Sequence, residues 1–432
     1  MKLRKPLAID LFCGAGGMSE GIIQAGFHII YSNEINKDAA LTYLNRHEQL
    51  GLIHGENTWL DIDDIRNLSG RDILKIINEL PIINKKNVEI DAIFGGPPCQ
   101  GFSRAGKQQT NDIRNTLFQE YLRIISEVNP KYIVFENVLG INDVKFKNYK
   151  STFDNQVYKS KTALYIIENE LKKIGYNSKK EVLNAVNFGV PQNRQRLIIM
   201  GYRNDCIEPD FPKGNKSYIT LDEAVGDLFG NKDISKYGIE SINGRTPSCI
   251  TNKPIKRDKI SNNEKTCHNK YIKERFGLLN DGESILQLKR RIIKEGIDLS
   301  KCENLLKYVS KKINKSKNET IKMFNNKEIT DDEIEVLLTK KTSRIKLSPN
   351  KPSSTVMTLP DDIISPYENR IFSVRELARI QSFDDSFIFY GKRTTGSHLR
   401  KLEVPQYSQV GNAVPPLLAK AIAKEIIKAI NN

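Results

Sequence analysis

Long apolar runs are what this 432-residue sequence most clearly lacks. No stretch approaches the roughly 20 apolar residues that a membrane-spanning helix needs. The basic N-terminus is only briefly apolar and has neither a long hydrophobic region nor a clear cleavage site, so we interpret it as the first strand rather than as a signal peptide. A membrane is therefore not an expected partner. The sequence also lacks an internal repeat of the length that predicts a solenoid.

Cysteine is scarce as well. None of the six cysteines belongs to a CxxC pair, and they are Cys13, Cys99, Cys206, Cys249, Cys267 and Cys302. Such sparse usage in a long chain predicts reduced thiols in the cytoplasm rather than a disulfide framework. No metal site is expected.

Charge of one sign is in clear excess. The sequence has 67 lysines and arginines against 52 aspartates and glutamates, a formal net charge of +15. With the membrane set aside, this excess favours nucleic acid as the partner. The alternative is a solvated lysine-rich surface in an organism whose composition favours Lys, Ile and Asn.

The first half of the chain alternates short β-like runs with helical stretches. This alternation predicts an α/β fold with a mainly parallel sheet. The predicted strands are Leu7–Phe12, Phe27–Ser32, Trp59–Ile62, Ile90–Gly95, Tyr132–Phe135 and Leu197–Gly201. The predicted helices are Met18–Ala25, Leu117–Val128 and Leu164–Ile174.

The chain changes character after about residue 205, where Lys, Asn and Ser become frequent and periodicity weakens. We interpret residues 206–365 as an inserted, less regular domain with one helix at 283–310. Apolar positions such as Ile250 and Val356–Leu359 are expected to be buried; the alternative is a partly disordered linker. Residues 366–432 return to the domain formed by residues 1–205, and the final helix, Pro416–Ile430, is expected to pack against it.

A glycine-rich segment, Asp10–Ser19, follows the first strand and opens a helix. Its pattern is FxGxGG and not the GxGxxG of dinucleotide-binding folds. Glu34 ends the next apolar run, where a carboxylate can accept hydrogen bonds from ribose hydroxyls. Asp61 would lie within reach of an adenine amino group. Since the loop holds no Lys or Arg for pyrophosphate, an adenosyl ligand without phosphates fits best. A structural turn, a surface glutamate and a helix-capping aspartate are the alternatives.

A cysteine at the tip of a stiff turn is the candidate nucleophile. Cys99 follows Gly-Gly-Pro-Pro at the end of a predicted strand, the edge at which open α/β sheets place their sites. A lone cysteine is usually a small buried hydrophobe, but packing explains this position poorly. Glu136 ends the next strand and would reach the same rim, unless it is a buried glutamate satisfied by backbone amides. Arg194 and Arg196 suit a carbonyl oxygen or a phosphate, or they form an exposed basic face.

These segments occur in a specific order along the chain. They are DLFCGAGGMS, Glu34, GGPPCQGFS, FENV, QNRQR and YSQVGNAVPPLL, with further matches at Arg114–Leu117 and Arg375–Phe383. In this order they resemble the DNA cytosine-5 methyltransferase family in its prokaryotic, restriction-modification form.

The resemblance implies a catalytic lobe that binds S-adenosylmethionine (SAM), with a target-recognition domain inserted in it. It implies that Cys99 attacks C6 of a flipped-out cytosine, that Glu136 protonates N3, that Arg196 holds O2 and that Arg194 supports the site. The implied cofactor residues are Phe12, Gly14, Gly16, Gly17, Glu34, Asp61, Ile62, Pro97 and Asn412. The implied DNA contacts are Gln100, Ser103, Arg104, Arg114 and Thr355. Double-stranded DNA is the implied partner of a monomeric enzyme; a cognate restriction endonuclease would act on the same site without a stable complex.

Other functions leave more of the sequence unexplained. A tRNA cytosine-5 methyltransferase shares the chemistry, but a long basic insertion favours duplex DNA. A silent nucleic-acid-binding regulator would not need the PPCQ and ENV segments. An NAD-dependent oxidoreductase leaves Cys99 and the arginines without a role, and amino-methyltransferases carry a different residue at the place of Gly96.

Overall fold

A seven-stranded sheet forms the centre of the computed structural model, which describes residues 5–83, 88–98, 117–396, 399 and 403–432. The described strands are β1 Leu7–Leu11, β2 His28–Asn33, β3 Trp59–Asp61, β4 Ala92–Gly95, β5 Tyr132–Asn137, β6 Lys145–Lys150, β7 Val157–Thr162, β8 Tyr176–Asn184, β9 Gln195–Arg203, β10 Ile345–Lys346 and β11 Ile363–Ile364. The described helices are α1 Gly17–Ala25, α2 Lys37–Gln49, α3 Gly70–Glu79, α4 Leu117–Val128, α5 Ala163–Lys173, α6 Leu221–Val225, α7 Lys236–Asn243, α8 Lys270–Gly277, α9 Ile285–Glu295, α10 Glu303–Ile313, α11 Lys317–Asn326, α12 Asp331–Leu338, α13 Val374–Ile380, α14 Gln406–Asn412 and α15 Pro416–Asn431.

The strand order in the central sheet is β3-β2-β1-β4-β5-β9-β8. Only β9 runs against its neighbours, pairing antiparallel with β5 on one side and β8 on the other. The predicted α/β fold with a mainly parallel sheet is confirmed. Because the parallel strands share a direction, the residues that follow them gather at one edge of the sheet.

Both faces of the sheet are covered by helices. Since successive side chains of a strand point to opposite faces, Ile9 and Ile93 join a core with α3, α4 and α5, whereas Ala8 and Phe94 join a core with α1 and α15. This two-sided burial explains why the central strands are apolar runs rather than alternating patterns.

The final helix packs on the first half of the chain, as expected. A Cβ placed on Gly21 in α1 would lie 2.4 Å from the carbonyl oxygen of Pro416 and 2.5 Å from the Cβ of Ala419 in α15. Only glycine therefore allows the two helices to approach this closely. The contact fixes the helix that opens directly after the glycine-rich loop.

The region 206–365 contains more regular structure than predicted. Helices α8 to α12 share an apolar core that includes Phe276, Leu288 and Val309, and the single helix predicted at 283–310 is two helices, α9 and α10. The overlooked signals are capping boxes, in which a Ser or Thr is followed three residues later by Glu or Gln. They begin α9, α11 and α12, at Ser284, Ser316 and Thr330.

Burial in this region was predicted only in part. Val356 is buried, but Ile250 is 78% exposed and Met357 is 40% exposed. An isolated isoleucine in a polar loop gives no periodicity from which burial can be inferred. The domain boundaries at 205 and 365 remain predictions. Among the described residues no helix is long and apolar enough to cross a membrane.

Candidate active site

The predicted site residues gather at the carboxyl edge of the sheet. The glycine-rich turn follows β1, Glu34 follows β2, Asp61 ends β3, Gly96 follows β4, and Glu136 lies one residue before the end of β5. These five strands are adjacent and parallel. The topology thus brings together side chains from more than a hundred residues of sequence.

The turn after β1 depends on backbone conformations that favour glycine. Phe12, Gly14 and Gly16 have φ angles of 58°, 57° and 99°, and a Cβ on Gly16 would lie 3.2 Å from the ring of Tyr43. A Cβ on Gly17 would lie 2.6 Å from the carbonyl oxygen of Val414. The glycines therefore both shape the turn and admit neighbouring elements closely.

Glu34 is held against this turn by two backbone donors. The amide of Gly14 donates to Oε2 at 2.9 Å, and the amide of Asn36 donates to Oε1 at 2.7 Å. Burial raises the pKa of the carboxyl group, whereas these two hydrogen bonds lower it. A carboxylate has about four acceptor positions, so Glu34 keeps acceptor capacity for a ligand.

Asp61 and two isoleucines continue the same rim. The backbone carbonyl of Asp61 accepts from the amide of Glu34 at 3.0 Å, and Tyr31 donates to its carboxylate at 3.2 Å. Burial raises the pKa of Asp61. Ile62, a predicted cofactor residue, is 43% exposed, and Ile35, which sequence reasoning missed, is 60% exposed. Large apolar side chains exposed just beyond adjacent strands suit the face of a flat ring; an isoleucine directly after Glu34 was the available signal.

Asp10 is a buried carboxyl group beneath the glycine-rich turn, for which the sequence suggested no separate role. The pKa of Asp10 is raised to about 7, because burial and the nearby Glu34 raise it by more than the hydrogen bond from Ser19 lowers it. Asp10 and Ser19 thereby link β1 to the first turn of α1.

Glu136 and Arg196 form an ion pair at the ends of β5 and β9. Nε of Arg196 lies 2.8 Å from Oε1 of Glu136, and each side chain is 12% exposed. A Cβ placed on Gly96 would lie 3.0 Å from Oε2 of Glu136. The side-chain amide of Asn137 donates to the carbonyl oxygen of Pro97 at 3.2 Å. The FENV segment is thus bound to the Gly-Gly-Pro-Pro turn.

Arg194 has different partners from Arg196. Its guanidinium is buried and donates to the carbonyl oxygens of Val356 at 3.0 Å, Gly411 at 2.9 Å and Ala413 at 3.2 Å. These contacts tie β9 to the segment around Val356 and to the last motif. The structure does not place Arg194 beside Glu136 in the way that it places Arg196.

Thr355 and Asn412 lie near this connection. The hydroxyl of Thr355 donates to the carbonyl oxygen of Asn193 at 2.7 Å. Asn412 is exposed at the end of α14, and a Cβ on its neighbour Gly411 would lie 2.4 Å from the carbonyl oxygen of Met357. The segment around Thr355 therefore packs against the turn that presents Asn412.

The predicted nucleophile falls outside the described residues. Cys99 is not among them, and neither are four predicted DNA contacts, Gln100, Ser103, Arg104 and Arg114. Pro98 is the last described residue before this segment and Leu117 the first one after it. No group of three or more His, Cys, Asp or Glu side chains suited to a metal ion occurs within the described ranges.

The family model for C-5 cytosine-specific DNA methylases matches residues 7–428, nearly the whole chain. The chain belongs to this family. The predicted activity class is confirmed: the protein is a C-5 cytosine-specific DNA methylase, an enzyme that acts on DNA.

Bacterial Type II methyltransferases are similar to this chain over nearly its whole length. The Type II methyltransferase M.DdeI of Desulfomicrobium norvegicum is 31% identical, and the match covers 97% of this chain and 88% of that protein. The Type II methyltransferase M1.HphI of Haemophilus parahaemolyticus is 30% identical, over 98% and 87%.

Solved structures show the same fold at lower identity. A protein described as a DNA modification methyltransferase, encoded within an E. coli prophage, aligns with a TM-score of 0.63 at 21% identity, over 99% of this chain and 100% of that chain. The methyltransferase EhMeth of Entamoeba histolytica aligns with a TM-score of 0.52 at 13% identity, over 99% and 100%.

Proposed function

We propose that this methylase transfers a methyl group from SAM to C5 of cytosine in duplex DNA, through a covalent adduct of Cys99 with a flipped-out base. The observation that carries the proposal is the Glu136–Arg196 ion pair, 2.8 Å long. It lies beside Gly96, three residues before Cys99 in the sequence. An acid, a guanidinium and a cysteine that follows Gly96 closely in the sequence match the three groups that addition to a pyrimidine ring requires.

The rim around the glycine-rich turn fits SAM. The carboxylate of Glu34 retains acceptors for ribose hydroxyls, Asp61 offers a carboxylate for an amino group, and Ile62 offers an apolar surface. Carboxylates without a Lys or Arg in the loop suit a ligand that is cationic and carries no phosphate. We assign the cofactor to Phe12, Gly14, Gly16, Gly17, Glu34, Asp61, Ile62, Pro97 and Asn412.

The chemistry explains why these residue types are needed. C5 of cytosine is a poor nucleophile until the thiolate of Cys99 adds to C6. As charge builds in the ring, Glu136 takes up a proton from solvent and passes it to N3, and Arg196 holds O2. Bound SAM supplies the methyl group to C5. Loss of the C5 proton to solvent water and of the Cys99 thiolate then restores the ring, and the N3 proton returns to Glu136.

Arg194 acts in this proposal as a positioning residue. Its donors hold the carbonyl oxygens of Val356 and Gly411, so it keeps the end of the recognition domain and the Asn412 turn in register with β9. Arg196, two residues further along, then reaches Glu136.

The target base must leave the helix, because C5 and C6 are buried within a duplex. We assign residues 206–365 as the target-recognition domain, with Thr355 facing the displaced strand, and Gln100, Ser103, Arg104 and Arg114 as DNA contacts. The enzyme would act as a monomer within a restriction-modification system. A cognate endonuclease would cut the same site when it is unmethylated, without a stable complex between the two proteins.

Methyl transfer from labelled SAM tests the proposal. Wild-type protein and Cys99→Ser are incubated with unmethylated duplex DNA and, in parallel, with tRNA. Label recovered as 5-methylcytosine in DNA with wild type and absent with Cys99→Ser is the expected result, and bisulfite mapping then gives the site. Label in tRNA alone, or unchanged transfer by Cys99→Ser, would contradict it.

A further inference from the structure

A two-stranded hairpin rich in lysine lies between the FENV segment and α5. Strands β6 and β7, with their turn, form residues 145–162, which we term the lysine ribbon. It contains five lysines and a single acidic residue, Asp154. No assigned role in methyl transfer requires this hairpin, and the sequence pattern did not predict it.

One face of the lysine ribbon is anchored to the catalytic lobe. Tyr149 and Tyr158 are buried, and the ring of Tyr149 stacks on Phe118 with centroids 5.6 Å apart. The buried carboxylate of Glu170 in α5 accepts from Tyr158 at 2.8 Å and from the hydroxyl of Ser151 at 2.9 Å. The ribbon is therefore held in a fixed position.

The opposite face is exposed and basic. Register pairs Asn148 with Lys159, Lys150 with Val157, and Phe146 with Lys161, so the three lysines project from one face. All three are exposed, as are Lys145 and Lys147. Across the described residues no carboxylate lies within ion-pair distance of any of the five, whereas the only acidic residue of the ribbon, Asp154, pairs with Lys173 at 2.8 Å. The ammonium of Lys161 lies 4.6 Å from the centroid of the Tyr165 ring, a contact that does not neutralise it. The positive charge of the five lysines is thus available to a partner.

The location of the ribbon selects that partner. It starts eight residues after Asn137, at the edge of the sheet that holds Glu136, and it packs on Phe118 in the first turn of α4. Helices of a parallel α/β sheet begin at the carboxyl edge, because the preceding strand ends there. The ribbon consequently flanks the place where a DNA methylase must receive its duplex.

We propose that the lysine ribbon binds the phosphate backbone of duplex DNA beside the target site, adding affinity without reading sequence. Ammonium groups are point charges that suit phosphates, and such contacts release condensed counterions from the duplex. A rigid ribbon loses little entropy when it binds. The proposal adds a binding surface to the proposed function and concerns DNA affinity rather than the reaction.

The test uses full-length protein and a fluorescein-labelled duplex of mixed sequence. The variant Lys150→Gln/Lys159→Gln/Lys161→Gln removes three charges from the exposed face. A matched control, Lys75→Gln/Lys172→Gln/Lys424→Gln, removes three charges from exposed lysines on α3, α5 and α15. Binding is measured across a series of NaCl concentrations, and thermal unfolding checks that both variants are folded.

The ribbon variant should bind on the order of tenfold more weakly at moderate salt, with the slope of log K against log salt reduced by about one per lysine. The control variant should match wild type in its affinity for the duplex and in the slope of log K against log salt. In methyl transfer the KM for DNA should rise while kcat at saturating DNA stays unchanged. Equal slopes for the ribbon and control variants, or a fall in kcat at unchanged KM, would overturn the proposal. Because binding is measured without turnover, an enzyme that binds DNA but transfers no methyl group would contradict only the proposed function.

Discussion

Glu136 combines a charged partner with a place in the proposed proton transfer. Glu136→Gln keeps the shape and can still contact Arg196, but it has no proton to give to N3. We expect kcat to fall by about 10² to 10⁴, the range that general acid catalysis usually supplies, with SAM binding unchanged. Single-turnover methyl transfer and SAM titration measure the two effects separately.

A control for this substitution lies two strands away in the sheet, beyond β9. Ile198 in β9 pairs in register with Glu136 on one side and with Glu181 of β8 on the other. Glu181 is exposed. Glu181→Gln should leave kcat unchanged. A Glu136→Gln enzyme as fast as Glu181→Gln would remove Glu136 from the mechanism.

Substituting Arg194 should lower stability, whereas substituting Arg196 should lower activity. Arg194→Ala leaves three carbonyl oxygens without their charged donor, which costs about 2 to 4 kcal/mol, so its Tm should fall by several degrees. Arg196→Ala leaves a partly exposed site and should lose activity with little change in Tm. Calorimetry and methyl transfer on both variants decide this. Equal Tm values for the Arg194→Ala and Arg196→Ala variants would mean that the contacts of Arg194 do not stabilise the protein.

At the scale of elements, the crossing of α1 and α15 depends on one missing methyl group. Gly21→Ala would place a Cβ 2.4 Å from the carbonyl oxygen of Pro416, and overpacking of this kind costs about 1 to 3 kcal/mol. Since α1 begins at the glycine-rich turn, SAM affinity should weaken as well. Gly396→Ala is the control, because a Cβ there meets nothing within 4 Å. A stable, tightly binding Gly21→Ala protein would show that the helices separate freely.

Elements with a clear apolar period could be predicted from the sequence, and others could not. The predicted bounds of α4 agree with the structure, Leu117–Val128, because its apolar residues recur at helical spacing. Strands β6 and β7 carry lysines on both faces, so they show no alternation of apolar and polar residues. Charged residues weaken the apolar period of the short helices between residues 206 and 365, so that period does not predict them. Their capping boxes can nevertheless be read from the sequence.

The candidate site also has features that the sequence predicts and features that it does not. The order of motifs along parallel strands predicted that Glu34, Asp61 and Glu136 would share one edge. The partners of Arg194 could not be predicted, because Val356 and Gly411 lie 162 and 217 residues away in the sequence. Local pattern gives the residues that follow a strand, whereas contacts between distant segments need the tertiary fold.

At the scale of the whole molecule, buried ion pairs join the three parts of the chain. Arg379 of α13 is fully buried and pairs with Asp385 at 2.7 Å and with Asp227 of the inserted region at 3.0 Å. Arg46 of α2 is also buried and pairs with Glu20 at 2.8 Å and Asp384 at 3.5 Å. These pairs link residues 366–432 both to residues 1–205 and to residues 206–365.

Removing one member of such a pair should destabilise the whole protein. Arg379→Met keeps much of the side-chain volume but leaves Asp227 without its cation and leaves Asp385 with Arg257 alone, 2.6 Å away, which costs about 3 to 5 kcal/mol. Arg66→Met breaks the ion pair with Asp64, in which Arg66 is 48% exposed, and should cost less than about 1 kcal/mol. Urea unfolding of both variants measures the difference. Equal midpoints would show that water reaches the Arg379 cluster, and that buried charge does not tie Asp227 to α13.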